Sequence, residues 1–368
     1  MLYKNFKDTK LSRLGMGNMR LPLNEDGRTI NRTEAAKILD IAMAQGINYY
    51  DTAYTYNSGD SERALGEIMP RYPRDSYYLA TKYYMGANPD YRAVFEEQLA
   101  RLQTDHIDFY LIHCIMNGNY QDYYNSGCIQ YFEEMQRQGR ITYLGFSSHA
   151  DPEVLEQVAD WRDWDFAQIQ LNYFDWMYGT AKREYEILHE RKIPIMVMES
   201  IRGGKLSQLT PEAEAILKAE APQKSISSWA LRFLMSLDGV QLMLSGMSTV
   251  DQIKDNLTNF QKDEALDARQ TDLLFAACEK FHSSMVVPCT ACRYCTEGCP
   301  MELNIPHILS LYNKAKTDEV WAIRDEAWAL GEKWPGACVG CGACMAHCPQ
   351  GIQIPDIMKE FAEMLKHQ

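Results

Sequence analysis

A (β/α)8 TIM barrel followed by a small, mainly α-helical second domain is the α/β fold class the sequence predicts, on three observations. The 368 residues exceed one ordinary domain and suit one of roughly 250 residues plus a small one. Short apolar runs alternate eight times with helical periodicity over about the first 260 residues, the length of an eightfold barrel. Eight of the eleven cysteines then crowd between Cys289 and Cys348. The strands are too apolar to have a wet face, which favours parallel strands covered by helices. An open doubly wound sheet is the alternative, but no Gly-x-Gly-x-x-Gly follows strand one before a helix.

Each element follows from local signals. Residues 1–12 read as a short polar hairpin. Strand one is 13–17, with Asn18 and Met19 at its C-terminal mouth. Asn31 or Thr33 can cap a helix through Ala44, in which Ala35, Ile38, Leu39, Ala42 and Met43 repeat at helical spacing. Gly46 ends it, and strand two is 46–50. A helix over 60–69 is broken by Pro70 and Pro73. Strand three is 77–82, and Pro89 opens a helix through Leu102. Strand four is 107–113, followed by a helix near 127–138. Strand five is 142–147, and Pro152 opens the next helix. Strand six is 166–170, with a helix near 180–190. Strand seven is 195–198, then a Gly203-Gly204 loop and a helix near 225–236. Strand eight is 241–244, and its helix starts near Val250. A further helix covers 263–280, and 282–288 reads as a linker. The domains are therefore expected at 1–282 and 283–368.

A net charge of −13 argues against a nucleic-acid partner, which would require a basic face. No apolar run approaches the ~20 residues of a membrane span, and the first residues lack the apolar core of a signal peptide. The expectation is a cytoplasmic protein whose cysteines bind metal rather than form disulfides.

Chemistry in such a barrel sits at the C-terminal strand ends. Asp51, Lys82 and His113 all fall there, and Tyr56 lies one loop beyond. A free Tyr has a pKa of about 10, too high to give up its proton readily at neutral pH. A Lys ammonium beside it stabilises the phenolate and lowers that pKa. Asp51 would hold Lys82, and His113 would orient a substrate oxygen. The set suits protonation of a carbonyl oxygen as hydride reaches carbon. A glycosidase barrel would need two facing strand-end carboxylates, and no such pair stands out.

In this order, the four residues resemble the tetrad of the aldo-keto reductase family. The likeness covers about residues 1–280. It rests on Asp51-Thr-Ala-x-x-Tyr56 with Ser61, Glu62 and Gly66, on Leu111-Ile-His113, and on Gly145-Phe-Ser147. It continues through Gln168, Arg202-Gly-Gly-Lys-Leu206, and Ser245-Gly-Met-Ser248 with Asn256. The resemblance implies an NAD(P)H-dependent oxidoreductase that interconverts a small carbonyl and an alcohol, with Tyr56 as proton donor. It implies that Ser147 and Gln168, with Ser148 beside them, hold the nicotinamide carboxamide. Met198 stands where the family often stacks an aromatic. Ser200, Ile201, Gly203, Gly204 and Leu206 would wrap the pyrophosphate. Ser245, Gly246, Met247, Ser248 and Asn256 would meet the adenosine half, and Met19 is a further contact. Members that prefer a 2′-phosphate place an Arg four residues before this Asn. Here it is Gln252, so NAD(H) and NADP(H) both stay open. Tyr54, Tyr83, Met116, Asn117, Trp176 and Tyr178 are expected around the substrate pocket.

Cys289-x2-Cys292-x2-Cys295-x3-Cys299-Pro300 recurs as Cys338-x2-Cys341-x2-Cys344-x3-Cys348-Pro349. Three thiolates spaced this way face one cubane, and the fourth serves the other cluster. Cys289, Cys292, Cys295 and Cys348 are thus expected on one 4Fe-4S cluster, and Cys338, Cys341, Cys344 and Cys299 on a second. Structural zinc is the alternative, disfavoured by a twice-repeated run ending in Cys-Pro. The run resembles a bacterial two-cluster ferredoxin. Its long middle interval, with helices expected near 306–316 and 318–331, resembles the helical variant.

Three readings of the whole remain. The clusters exchange electrons with a flavoprotein or another partner. Alternatively, the ferredoxin-like domain is structural, docking or redox-sensing on an ordinary reductase. From another class, the chain is a non-enzymatic nucleotide-binding redox sensor, against which the intact tetrad counts.

Overall fold

Phe6, on an N-terminal hairpin, plugs the floor of a closed eight-stranded parallel barrel in this computed structural model. Residues 1–283, 287–317 and 323–366 are described. The expected linker and the second interval helix fall partly outside them. Compactness divides the chain into two units, 1–201 with 227–271 and 202–226 with 272–368. The segment 202–226, which the sequence assigns to the barrel domain, belongs to the second unit. Among the described residues, no helix is long and apolar enough to cross a membrane.

In the first unit the hairpin is β1 (Tyr3–Phe6) and β2 (Thr9–Ser12), antiparallel as expected. The barrel strands are β3 (Leu14–Gly17), β4 (Tyr49–Asp51), β5 (Tyr78–Tyr83), β6 (Ile107–Ile115), β7 (Ile141–Ser148), β8 (Phe166–Gln170), β9 (Ile195–Met198) and β10 (Val240–Ser245). They close in chain order, with β10 pairing β3. The Phe6 ring centroid lies 5.4 Å from Phe109 and 5.0 Å from Tyr143. Burying an aromatic here stabilises the fold by about 1.5–3 kcal/mol and seals the end opposite the strand C-termini.

Helices follow the strands. They are α1 (Arg32–Ala44), α2 (Asp60–Ile68), α3 (Tyr91–Leu102), α4 (Tyr120–Asn125), α5 (Cys128–Arg137), α6 (Pro152–Ala159), α7 (Tyr173–Tyr178) and α8 (Ala181–Glu190). After them come α9 (Pro211–Glu220), α10 (Ile226–Met235), α11 (Val250–Thr258) and α12 (Ala268–His282). Asn31 caps α1 by accepting from the Glu34 N–H, as its position predicts. α4, α7 and α9 were not expected. α9 carries a plain start signal, with Thr210 accepting from Ala213 N–H and Pro211 in its first turn.

The second unit has an internal repeat. Each cysteine run holds a short helix, α13 (Tyr294–Glu297) or α16 (Ala343–Ala346), and is followed by a longer apolar one. Those longer helices are α14 (Ile305–Thr317) and α17 (Ile354–Lys366), with α15 (Arg324–Trp328) between the runs. Ile305, Ile308, Leu309, Tyr312, Met358 and Phe361 share one core.

Candidate active site and cysteine cavities

Three strand ends bring the sequence-predicted tetrad together. Asp51 ends β4, Lys82 is on β5 and His113 is on β6. The Lys82 ammonium donates to Asp51 Oδ1 at 2.5 Å and to the Thr52 carbonyl at 2.6 Å. Its Nζ lies 5.0 Å from the centroid of the Tyr56 ring. The Tyr56 and His113 rings stand edge to face with centroids 5.8 Å apart. Tyr56 opens a 3₁₀ turn in which Asn57 and Ser58 adopt left-handed backbone.

A buried polar network backs Lys82. Glu62, shut off from solvent on α2, accepts from Thr81 Oγ1 at 2.6 Å, Gln98 Nε2 at 2.7 Å and Arg101 Nη1 at 2.9 Å. Gln98 also donates to the Lys82 carbonyl at 3.0 Å and accepts from Tyr110 OH at 2.6 Å. α2 and α3 reach this closeness because residue 66 is glycine: a Cβ there would stand 2.0 Å from the Arg101 carbonyl oxygen. The Glu62 carboxylate and the Gln98 amide are satisfied from several sides, and the network fixes the strand that carries Lys82. Glu62 and Gly66 are legible in the sequence motif after Tyr56, whereas nothing local marks Gln98, Arg101 or Tyr110.

His113 is aimed by a bulge. The β6–β7 register shifts between Ile112 and Ile115, and Cys114 has a φ of +56°. A non-glycine residue in this region is strained and persists only when its surroundings hold it. Here Cys114 N–H donates to Ser147 Oγ at 2.9 Å, and Asn119 Nδ2 donates to the Cys114 carbonyl at 3.0 Å. Tyr123 OH donates to the His113 carbonyl at 2.7 Å.

Burial dominates the electrostatics. It pushes the Asp51 carboxyl up and the Lys82 ammonium down, while each partner pulls the other back towards its charged form. Burial, with Lys82 and His149 behind it, holds His113 well below the usual histidine range, so the imidazole is neutral. Burial and then Asp51, Cys114 and Glu199 push the Tyr56 phenol well above its ordinary value, against Arg20. This differs from the expected lowering by Lys82. Burial and the anionic neighbours outweigh Arg20, and the phenol stays protonated.

Ser147 and Gln168 are register partners across β7 and β8, both buried. Gln168 Oε1 has no hydrogen-bond partner, a costly orphan unless a donor arrives. An amide N–H₂ group of a cofactor fits that requirement. Ser148 Oγ accepts from Ala150 N–H at 3.1 Å, and Met198 is half-buried at the end of β9. Ser200 Oγ donates to the Leu244 carbonyl at 2.6 Å, and Asn256 Nδ2 donates to Ser245 Oγ at 2.8 Å. Met19 is half-buried, Ile201 is half-buried, and Met247 is fully buried. The Gly246 site faces the Arg20 side chain. Gln252 Oε1 accepts from Ser248 N–H at 2.7 Å, and Ser248 Oγ donates to the Arg20 carbonyl at 2.5 Å. Gly203, Gly204 and Leu206 lie in the second unit, where both glycines have positive φ.

The expected pocket rim needs correction at Tyr83. Its ring is fully buried, packed against Tyr91, Tyr123 and Phe132, and its hydroxyl donates to the Pro89 carbonyl at 3.1 Å. Side chains alternate along β5, so with Lys82 inward Tyr83 must face the helices. Tyr84, outside the expected rim, has its ring centroid 5.9 Å from that of His113. Tyr54 is tied to α3, donating to Glu97 Oε2 at 2.8 Å beneath the Arg101 guanidinium. Asn117 bridges to Asp151, Met116 is half-buried, and Tyr178 is exposed. Trp176 packs on Tyr185 and Phe233.

The second unit holds two cavities. Cys289, Cys292, Cys295 and Cys348 line one, with Thr290, Arg293 and Gln350. Cys299, Cys338, Cys341 and Cys344 line the other. Electrostatic neighbours agree: Cys295 feels Cys292, Cys289 and Cys348, whereas Cys344 feels Cys338, Cys341 and Cys299. Among the described residues, no three His, Cys, Asp or Glu converge closely enough to hold a single ion.

Comparisons with known proteins bear on both units. Residues 13–276 match the Aldo/keto reductase family, and residues 288–352 match a 4Fe-4S dicluster domain. The uncharacterized oxidoreductase YqkF of Bacillus subtilis (strain 168) is 26% identical over 283 residues, 68% of this chain and 87% of that one. L-galactose dehydrogenase of Arabidopsis thaliana is 25% identical over 289 residues, 72% and 89% of the two chains. The holo form of the aldo-keto reductase AKR11C1 from Bacillus halodurans superposes with a TM-score of 0.62 at 25% identity. That match covers 75% of this chain and 96% of that one.

Proposed function

We propose a function from one premise: this chain belongs to the aldo/keto reductase family and carries a 4Fe-4S dicluster domain after the barrel. The proposed reaction is the reversible reduction of a small carbonyl to an alcohol with NADH or NADPH. The observation that carries it is the buried Lys82–Asp51 pair beneath the Tyr56 ring, with neutral His113 edge-on to that ring.

In this reading the nicotinamide supplies hydride to the carbonyl carbon when bound. Tyr56 keeps its proton until the carbonyl oxygen gains negative charge, and then donates it there. Lys82 stabilises the phenolate left behind, and Asp51 with the Thr52 carbonyl holds the ammonium in place. His113, neutral and with Nδ1 unpartnered in the structure, donates its one ring N–H to the substrate carbonyl oxygen and orients it. Ser147 and Gln168 take the carboxamide, for which the orphaned Gln168 oxygen is the supporting feature. L-galactose dehydrogenase, by its name, acts on L-galactose, a small sugar with carbonyl and hydroxyl functions, which agrees with this substrate class.

The cysteines lining the two cavities would each hold a 4Fe-4S cluster, which accepts or releases one electron at a time. We propose that the second unit exchanges those electrons with a separate protein. The test is anaerobic visible spectroscopy with NADH or NADPH, alone and with a panel of aldehydes and ketones. Oxidation of the dinucleotide that requires a carbonyl supports the reductase. Failure with every aldehyde and ketone in the panel would sink it. Cluster bleaching by dinucleotide alone supports direct electron exchange, whereas unbleached clusters during turnover favour a structural or sensing second unit.

A further inference from the structure

A buried guanidinium is hydrogen-bonded to the two chain segments that border one of the two cysteine cavities. Arg202 is 1% exposed in the second unit, an unusual fate for an arginine. Its Nη2 donates to the Pro288 carbonyl at 3.1 Å and to Gln350 Oε1 at 3.3 Å. Pro288 immediately precedes Cys289, and Gln350 lies two residues after Cys348. One side chain therefore braces both chain segments that supply cysteines to the first cavity. Gln350 itself lines that cavity, together with Arg293. Lys205 lies three residues on in the same segment. The lining of the second cavity is Cys299, Cys338, Cys341 and Cys344 with apolar residues and Gly342, and carries no charged side chain.

The segment that delivers Arg202 is built for the purpose at some cost. Arg202, Gly203 and Gly204 have φ of +48°, +62° and +90° in succession. Glycine accepts this readily, but arginine does so only when held, and the two hydrogen bonds from Nη2 hold it.

Resting on the cluster reading above, we infer that Arg202 sets the reduction potential of the cluster held at the first cavity, and not that of its neighbour. Reduction adds one electron and hence one negative charge to that cluster. A fixed cation nearby stabilises the reduced form, and cluster potentials respond to local charge, hydrogen bonding and solvent access. In the low-dielectric interior the effect is little screened. Arg202 thus acts through the cluster as a positioning residue outside either cysteine run.

The test is an anaerobic redox titration of the full-length protein with dithionite as one-electron donor, followed by electron paramagnetic resonance. Cys292→Ala and Cys341→Ala assign the two signals, since each removes a ligand from one motif whatever the fate of the fourth cysteine. Arg202→Met should lower the midpoint of the first-cavity signal so that its reduced-to-oxidised ratio falls at least tenfold, about 59 mV for one electron. The other signal should stay in place, and Arg202→Lys should restore most of the shift. Lys205→Gln, at a less buried position, should lower the same midpoint by a smaller amount even if Arg202→Met does not fold. Midpoints unchanged in both variants, or both signals shifting equally, would overturn the inference while leaving the clusters standing. A reconstituted protein without iron would overturn the cluster reading as well.

Discussion

Lys82 Nζ lies 2.5 Å from Asp51 Oδ1, with the two side chains only 0% and 4% exposed. Removing either partner leaves the other buried without its counter-charge, which typically costs about 3–5 kcal/mol. Lys82→Met and Asp51→Asn should each destabilise the barrel by roughly that amount in urea unfolding followed by tryptophan fluorescence. The double variant should be more stable than Lys82→Met alone, because no uncompensated carboxylate remains. Additive losses in the double variant would show that the two groups do not act as a pair.

Tyr56→Phe addresses the proposed chemistry. Without its hydroxyl the proton donor is gone, and turnover should fall by roughly 100-fold or more. Dinucleotide affinity, read by fluorescence titration, should change little, because the ring's edge-to-face contact with His113 survives. Full turnover on a good carbonyl substrate would refute the assignment of Tyr56 as donor.

Gln252 bears on cofactor choice. Its Oε1 is engaged by Ser248 N–H at 2.7 Å and so braces the loop before α11 rather than reaching outward as a cation. The expected outcome is at most a weak preference for NADPH, and Gln252→Arg should raise that preference by roughly tenfold, about 1.4 kcal/mol. An unaltered protein that binds NADPH more than about 100-fold tighter than NADH, about 2.7 kcal/mol, would need another cation at the 2′-phosphate.

Glu184 gives a pH dependence unconnected with catalysis. Burial, reinforced by Asp175 and Asp151, pushes its carboxyl up from 4.5 to about 7, although the Thr180 hydroxyl donates to it at 2.5 Å. A carboxyl raised on folding binds its proton more tightly in the native state. Its contribution is therefore fully present below pH 4.5 and is lost as pH rises through about 7. Glu184→Gln should leave stability near pH 5 almost unchanged and raise it at pH 8 by about 1–3 kcal/mol. Urea midpoints at both pH values decide it: an equal change at both would place the carboxyl pKa near its ordinary value.

Much of this was legible in the sequence because the signals were local. β8 spans Phe166–Gln170 as its apolar run predicts, and Asn31 caps α1 as its position predicts. The three tetrad positions on strands were readable because each closes an apolar run. Tyr83 is expected at the rim because the run over 77–82 closes at Lys82, but β5 continues through Tyr83 and alternation from Lys82 turns that ring outward. The Glu62, Gln98 and Arg101 network was not readable: it depends on how closely α2 meets α3 at Gly66, a tertiary fact. Nor was the bulge at Cys114, because no glycine marks its positive φ. Arg202 was grouped with the barrel, and its burial beside the first cysteine cavity follows only from packing.

Crossed ligation is the remaining expectation that a single variant can decide. Cys348 is remote in sequence from Cys289, yet it lines the same cavity, and Cys299 lines the one formed by the later run. The local cause is the short helix inside each run. α13 ends at Glu297 and α16 at Ala346, and the chain then turns through Cys299-Pro300 or Cys348-Pro349 away from its own three thiols. Proline there blocks continuation of the helix and fixes the turn. Crossing also links the start of α14 to the start of α17, whose Ile305 and Ile354 share the core between the cavities. Metal binding then contributes directly to folding of this unit. Cys348→Ala should damage the cluster of the earlier run, read as loss of the same resonance that Cys292→Ala removes, and iron should fall from about eight atoms towards four. If Cys348→Ala removes instead the resonance lost in Cys341→Ala, each run holds its own cluster and the crossing is refuted.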